Sequence, residues 1–178
     1  MCYRLRKAAL SDLGALETLI ARSARDLCIQ DYTIQQVEGA LRGAFGVDTQ
    51  LIVDGTYFVV EHHGEIVGCG GWSRRHTLFG GDAHSQRDAG ELNPLNDPAR
   101  IRAYFVHPEH VRKGIGRALL KRCEAEALAY GFSRFELMAT LPGVKFYEAQ
   151  GYLAGASIQY QIDKDRTIEF VPMRKDIQ

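Results

Sequence analysis

Cysteine is sparse in this chain and never closely spaced. Cys2, Cys28, Cys69 and Cys123 stand far apart, with no CxxC pair among them. That spacing gives no support to a zinc site or a dithiol redox centre, and no metal is expected. Cys69 and Cys123 fall in apolar periodic runs and read as small buried hydrophobes. Net charge is absent as well: 22 basic residues balance 22 acidic ones. A neutral chain offers no overall field to nucleic acid or to a membrane surface, so neither is expected as a partner. No apolar run approaches the ~20 residues that a membrane span requires. The opening "MCYRLRKAALSD" has no apolar core of signal-peptide length. With free thiols, these features point to a cytoplasmic protein. What is present is ordinary: 178 residues, 46% hydrophobic and 25% charged. A chain of that length can bury a core without covalent staples.

The pattern along the chain alternates between periods of two and of 3.6 residues. "CYRLRKA" reads as a strand. Residues 12–27 carry Leu13, Leu16, Leu19, Ile20 and Leu27 at helical spacing behind the caps Ser11 and Asp12. In "YTIQQVEGAL", Thr33 and Gln36 form a capping-box pattern. "TYFVVEHHGEIVGCGGWS" reads as a hairpin turning near His63-Gly64. Residues 74–98 are rich in Gly, Asp, Asn and Pro and carry no periodicity, which marks a long loop that is either functional or disordered. "RIRAYFV" is a strand, 114–130 a helix closed by Gly131, and "SRFELMAT" a strand. "PGVKFYEAQ" is a short helix, and "SIQYQIDKDRTIEFVPM" a last hairpin turning at Asp163–Arg166. There is no internal repeat and no domain boundary. The order βαα-ββ-βαβα-ββ predicts a mixed α/β sheet in one domain spanning 1–178.

One stretch carries chemistry. In "YFVHPEHVRKGIGRALLKRCEAEA" a strand passes through two glycines and three cations into a helix. A helix start leaves backbone N–H groups unpaired, and its dipole adds positive charge there. Glycine lets a phosphate approach. Arg112, Lys113 and Arg117 add full charges, so "VRKGIG" suits a pyrophosphate. It is not a Walker loop, because no G-x-x-x-x-G-K-[ST] occurs. It is not the dinucleotide fingerprint either, since Leu119 stands where a third glycine belongs.

The span "IRAYFVHPEHVRKGIGRALLKRCEAEALAYG", together with "FYEAQGY" downstream, resembles the acetyl-CoA-binding core of the GNAT N-acetyltransferase superfamily. The resemblance covers nearly the whole chain. It implies the GNAT-like fold: a central, mixed, mostly antiparallel sheet flanked by helices. Two parallel strands, here 100–106 and 134–140, would splay apart at the cofactor cleft. It implies that Arg112, Lys113, Gly114, Ile115, Gly116 and Arg117 hold the pyrophosphate of coenzyme A. Tyr104, Phe105 and Val106 would present backbone groups to the pantetheine arm and the acetyl carbonyl. Tyr147 matches the tyrosine that acts as general acid beside the sulfur. The sequence departs from the family pattern at Val111, where Gln or Arg is frequent, and at Thr140, where Asn is frequent.

The implied activity is direct transfer of acetyl from acetyl-CoA to a primary amine of a small molecule, amino acid or peptide. The family often places a glutamate on the strand before the glycine turn, but "ARIRAYFV" has no carboxylate. Base candidates therefore lie elsewhere: Glu61, His62, His63, His76, Glu91, Asp97, His107 and Glu109, or water. Trp72 could pack on an amine acceptor, and Glu91 in the long loop could reach it. The alternative is a catalytically weak acyl-CoA-binding sensor of the same fold. "SIQYQID" and "TIEFVPM" alternate and could carry a homodimer interface.

Overall fold

The computed structural model describes residues 2–85 and 87–177. In chain order the elements are β1 (Arg4–Lys7), α1 (Leu13–Leu27), α2 (Ile34–Ala40), α3 (Thr49–Val53), β2 (Tyr57–His62), β3 (Glu65–Ser73) and β4 (Ala99–Val106). They continue with α4 (Ile115–Tyr130), β5 (Arg134–Thr140), α5 (Val144–Ala149), β6 (Leu153–Ala154), β7 (Ile158–Gln161) and β8 (Thr167–Asp176). One open sheet runs β1-β2-β3-β4-β5-β8-β6, with β7 also on β8. Every pairing is antiparallel except β4 with β5. The expected order of elements is present. Two pieces were not anticipated: α3, five residues long behind the N-cap Asp48, and the two-residue β6.

Local signals account for most element ends. Thr33 and Gln36 exchange the two bonds of a capping box at α2, at 3.1 and 2.9 Å. Gly131 closes α4 in the left-handed region, with φ of 119°. The β2–β3 hairpin turns through His63 and Gly64, both at positive φ.

Both faces of the sheet are covered. On β2, Phe58 and Val60 join the core under α4, while Tyr57 and Val59 join the core under α1, α2 and α3. That division explains why "YFVV" is apolar without alternation. Both edges of β8 are taken, by β5 on one side and by β6 and β7 on the other. Of the two strands considered for a dimer contact, only "SIQYQID" keeps a free edge.

The sheet departs from regularity at β4. Cys69 pairs with Phe105, and Gly71 with Arg102, so Gly70 faces both Ala103 and Tyr104. That is a bulge of two residues against one. Ala103 takes a left-handed φ of 54°, a conformation that strains any residue with a Cβ. The buried Tyr57 hydroxyl donates to its carbonyl at 2.9 Å. Gly70 is obligatory opposite the bulge: a Cβ there would meet the Tyr104 ring at 2.9 Å. β4 leaves β5 just ahead of the bulge. The two strands pair only at Ala99–Phe135 and Arg100–Glu136, and then part. Arg100 and Glu136 form an ion pair at the point of parting.

The segment 74–98 is anchored. Arg75 bridges Asp54 at 2.7 Å and donates to the Ala89 carbonyl at 2.8 Å. Arg102, only 2% exposed, donates to the carbonyls of Thr77 and Gly80 at 3.1 and 2.7 Å and to Asp48 at 2.8 Å. Arg87 reaches the other oxygen of Asp48 at 2.6 Å. One buried carboxylate thus joins α3, β4 and the loop. Asp48→Ala should lower stability by about 3–5 kcal/mol, because it strands a buried guanidinium. Denaturant unfolding of the parent and the variant measures this, and an unchanged midpoint would show that the network does not hold the loop.

Candidate functional site

Where β4 and β5 part, a cleft of about 910 Å³ passes through the sheet. Its walls include Tyr104, Phe105 and Val106 from β4 and Leu137 to Thr140 from β5. At one end lies the turn into α4. Arg112 and Gly114 both take left-handed φ there, 62° and 84°, which folds the backbone into a tight curl. Open space surrounds the position of a Cβ on Gly114, so its glycine is required by conformation and not by crowding. Ala118 is the first amide of the helix to bond back, to the Gly114 carbonyl at 3.0 Å. The N–H groups of Ile115, Gly116 and Arg117 therefore have no helical acceptor.

Charge accompanies these donors. Arg112, Lys113 and Arg117 are exposed, and among the described residues none of them makes an ion pair. Arg112, Gly114, Ile115, Gly116 and Arg117 line the cleft, whereas Lys113, exposed between Arg112 and Gly114 in the chain, does not. Gly116 packs its Cα face on α5, where a Cβ would meet the Phe146 ring at 3.2 Å. Unpaired amides, a helix dipole and three free cations around one opening are the donor set a pyrophosphate needs. The residues present fit that group.

Tyr147 lies in the same cleft, on α5. Its ring is held edge-on by Tyr104, Phe146 and Tyr152, with centroids 6.3, 5.0 and 5.8 Å away. Among the described residues its hydroxyl has no hydrogen-bond partner. Burial pushes the phenol pKa up, with Cys123 nearby adding to the effect. Tyr147 therefore stays protonated through the physiological range and keeps a proton to offer. Thr140 also lines the cleft. Val111 is on the wall as well, a half-exposed apolar side chain that adds no hydrogen-bonding group.

Trp72 and Glu91 are not brought to the cleft. Trp72 is 3% exposed and packs in the core beneath α4, edge-on to Tyr130 and Phe132 at 5.7 and 6.1 Å. Glu91 forms an isolated antiparallel backbone bridge with Arg75, and its exposed carboxylate lies 3.4 Å from Arg74. The base candidates fare alike, for none of the eight lines the cleft. Glu61 is paired with Arg6 at 2.7 Å, and Glu109 with Arg22 at 3.1 Å. Asp97 accepts from the Asn93 amide at 2.8 Å, and His107 caps a turn by accepting from the Glu109 amide at 3.2 Å.

Residues that composition and spacing did not single out do line it: Leu27, Phe45, Phe79, Met138 and Phe170 at the far end, and His110 beside the glycine turn. They come from distant segments, and only proximity in the fold unites them.

Comparison with known proteins places this geometry. The chain superposes on a GCN5-related N-acetyltransferase from Rhodopseudomonas palustris with a TM-score of 0.74, at 18% identity, covering 99% of this chain and 97% of that one. PaiA N-acetyltransferase from Thermoplasma acidophilum, solved with coenzyme A, gives 0.66 at 15% identity, covering 99% of each chain. The ribosomal-protein-S18-alanine N-acetyltransferase from Escherichia coli gives 0.62 at 16% identity, covering 99% of this chain and 94% of that one. At such identities the likeness is one of fold. No curated protein matches the chain by sequence. The family model described as "Acetyltransferase (GNAT) family" matches residues 25–152, a span that takes in the glycine turn, the parted strands and Tyr147. By that match, well over half its length, the chain belongs to the GNAT acetyltransferase family.

Proposed function

We propose that this protein is an N-acetyltransferase that moves acetyl from acetyl-CoA directly to a primary amine of a small molecule, amino acid or peptide. One observation carries the reading. The anion-binding turn and Tyr147 open into the same cleft, between strands parted for its length. The coenzyme A held by the PaiA structure supports the choice of donor.

When bound, acetyl-CoA supplies an acetyl thioester, from which the amine takes acetyl and leaves the free thiol. The chain's part is to seat, orient and protonate. Amides of residues 114–117, with Arg112, Lys113 and Arg117, hold the pyrophosphate. Backbone groups of Tyr104, Phe105 and Val106 line the path of the pantetheine arm, because β4 has no partner strand on that side. An N–H near Val106 is suited to receive charge building on the acetyl oxygen. Tyr147 gives its proton to the departing sulfur and regains one released by the amine.

Two substitutions test this. Gly116→Glu puts a side chain against Phe146 and a negative charge into the seat. Calorimetry should show acetyl-CoA binding to the parent, but not ATP or NAD, and at least a ~100-fold loss in the folded variant. Failure of acetyl-CoA to bind the parent would overturn the reading. Tyr147→Phe keeps the ring and removes only the acid. Its kcat should fall by about 10²–10³-fold, with acetyl-CoA affinity within about threefold of the parent. Unchanged turnover would remove Tyr147 from the chemistry. No turnover by the parent with any amine would favour a CoA-binding sensor.

A further inference from the structure

The cleft pierces the sheet, and its two ends differ in chemistry. The end beneath α4 has the free amides and cations. The other opens into the core of α1, α2 and β8. Along β4 the bulge fixes which side chain faces which end: Tyr104 and Val106 pack under α4, while Ala103 and Phe105 pack on the opposite face. Met138 on β5 joins that opposite face too. On the transferase reading, a thioester entering over the glycine turn would present its acetyl group toward that end.

That end is apolar and aromatic. Phe45 stands edge-on to Phe105 at 6.0 Å and 6.0 Å from Phe170, and Phe79 lies 5.7 Å from Phe170. Leu27 and Met138 are on the wall too, and Ser23, Gln30 and Arg102 are polar members of the lining. Among the described residues, no aspartate or glutamate side chain lines the cleft at all. The buried acid Asp48 is committed to Arg87 and Arg102, and Arg87 also pairs with Asp82 at 3.7 Å. The one histidine on the wall, His110, is beside the glycine turn, its Nδ1 3.0 Å from the Tyr3 hydroxyl. Burial and the charge of Lys113 lower its pKa. Of the other titratable groups on the wall, the Cys28 thiol is pushed up to about 11 by burial and by the charge of Asp31, which does not itself line the cleft. Tyr104, Tyr147 and Lys145 belong to the α4–α5 side.

An ammonium entering this end would lose its water and find no carboxylate, a costly exchange. We propose that the acceptor is a small primary amine of low basicity, borne on an aromatic or branched apolar body. This rests on the transferase reading above and names its substrate class. Such an amine brings its own neutral fraction, so no base is needed at the nitrogen. An α-amine with a pKa of about 7.7–8.0 is about one-tenth neutral at pH 7, against about one part in 2,500 for an alkylamine near 10.4. The difference is about 300-fold in reactive species. Phe79, held on the loop that Arg102 anchors, is the specificity-determining wall.

Four acceptors separate the two properties: phenylalaninamide, glycinamide, phenethylamine and putrescine. With acetyl-CoA at pH 7, phenylalaninamide should have the highest kcat/KM. It should exceed glycinamide by at least ~10-fold through its body, and phenethylamine by about 100-fold through its basicity. The second gap should close as pH rises toward 10, because more of the alkylamine becomes neutral. Phe79→Ala should cut the preference over glycinamide about 10-fold, Phe79→Leu should restore part of it, and calorimetric acetyl-CoA binding should match the parent in both. N-acetylphenylalaninamide should bind the CoA-loaded protein more tightly than N-acetylputrescine, a readout that needs no turnover. Putrescine or phenethylamine matching phenylalaninamide at pH 7 would overturn this inference and leave the transferase reading intact. Binding of acetyl-CoA without acetylation of any acceptor would overturn both.

Discussion

The site depends on β4 being unable to serve two neighbours at once. Its N-terminal part pairs with β3 and, for two residues, with β5. The extra residue at Ala103–Tyr104 then re-aims the strand. The ladder to β5 ends at Arg100–Glu136, just before the bulge, and does not resume past it, whereas pairing with β3 resumes at Cys69–Phe105. The cost is a left-handed alanine, of order 1–2 kcal/mol, offset by a hydrogen bond from Tyr57 buried where water cannot compete. Strain is stored where the chemistry needs an opening.

The glycines of "GCGG" on β3 belong to the same device. Gly68 lets α4 approach: a Cβ there would meet Ile115 at 2.4 Å. Gly70 lets the Tyr104 ring lie flat against the sheet. Both contacts set the depth of α4, and so the height at which its unpaired amides face the cleft. The anion site is thus built from two levels. The turn supplies donors by local conformation, and β3 supplies their position by leaving out side chains.

What was legible in the sequence follows from this division. The glycine turn lies in one short strand–turn–helix segment, so residue order alone exposes its chemistry. The α2 capping box, the Gly131 cap and the hairpin turns are local as well and appear where the residues indicated, whereas Asp12 ahead of α1 makes no side-chain cap bond to it. Trp72 shares the face of β3 on which Gly68 and Gly70 lie against Ile115 and Tyr104, so it packs beneath α4, and nothing local in "CGGWS" says which face that is. The aromatic wall at the far end of the cleft was invisible for another reason. Leu27, Phe45, Phe79, Met138 and Phe170 each read as ordinary core residues, and four of them are indeed in or against the core. Only the parting of two strands, a property of no single segment, turns part of that core into a surface. Residues 74–98 looked irregular because their order comes from outside, through Arg102 on β4 and Asp54 beyond α3.

That last dependence bears on why the chain keeps a buried carboxylate between two arginines. A well-packed apolar cluster could fill the same volume at no loss of stability, and often at a gain. Hydrophobic contacts are not directional, however, and would not fix the path of a glycine-rich loop. Arg102 does so with three acceptors in fixed directions, two of them loop carbonyls. Gly80 and Gly81 sit so close to His84 and Gly46 that a Cβ on either would collide, so the backbone itself is the packing unit there. The guanidinium fork sets where that backbone runs, and Phe79 follows from it. The same β4 therefore shapes both ends of the cleft, by its bulge on the side of α4 and by Arg102 on the side of Phe79.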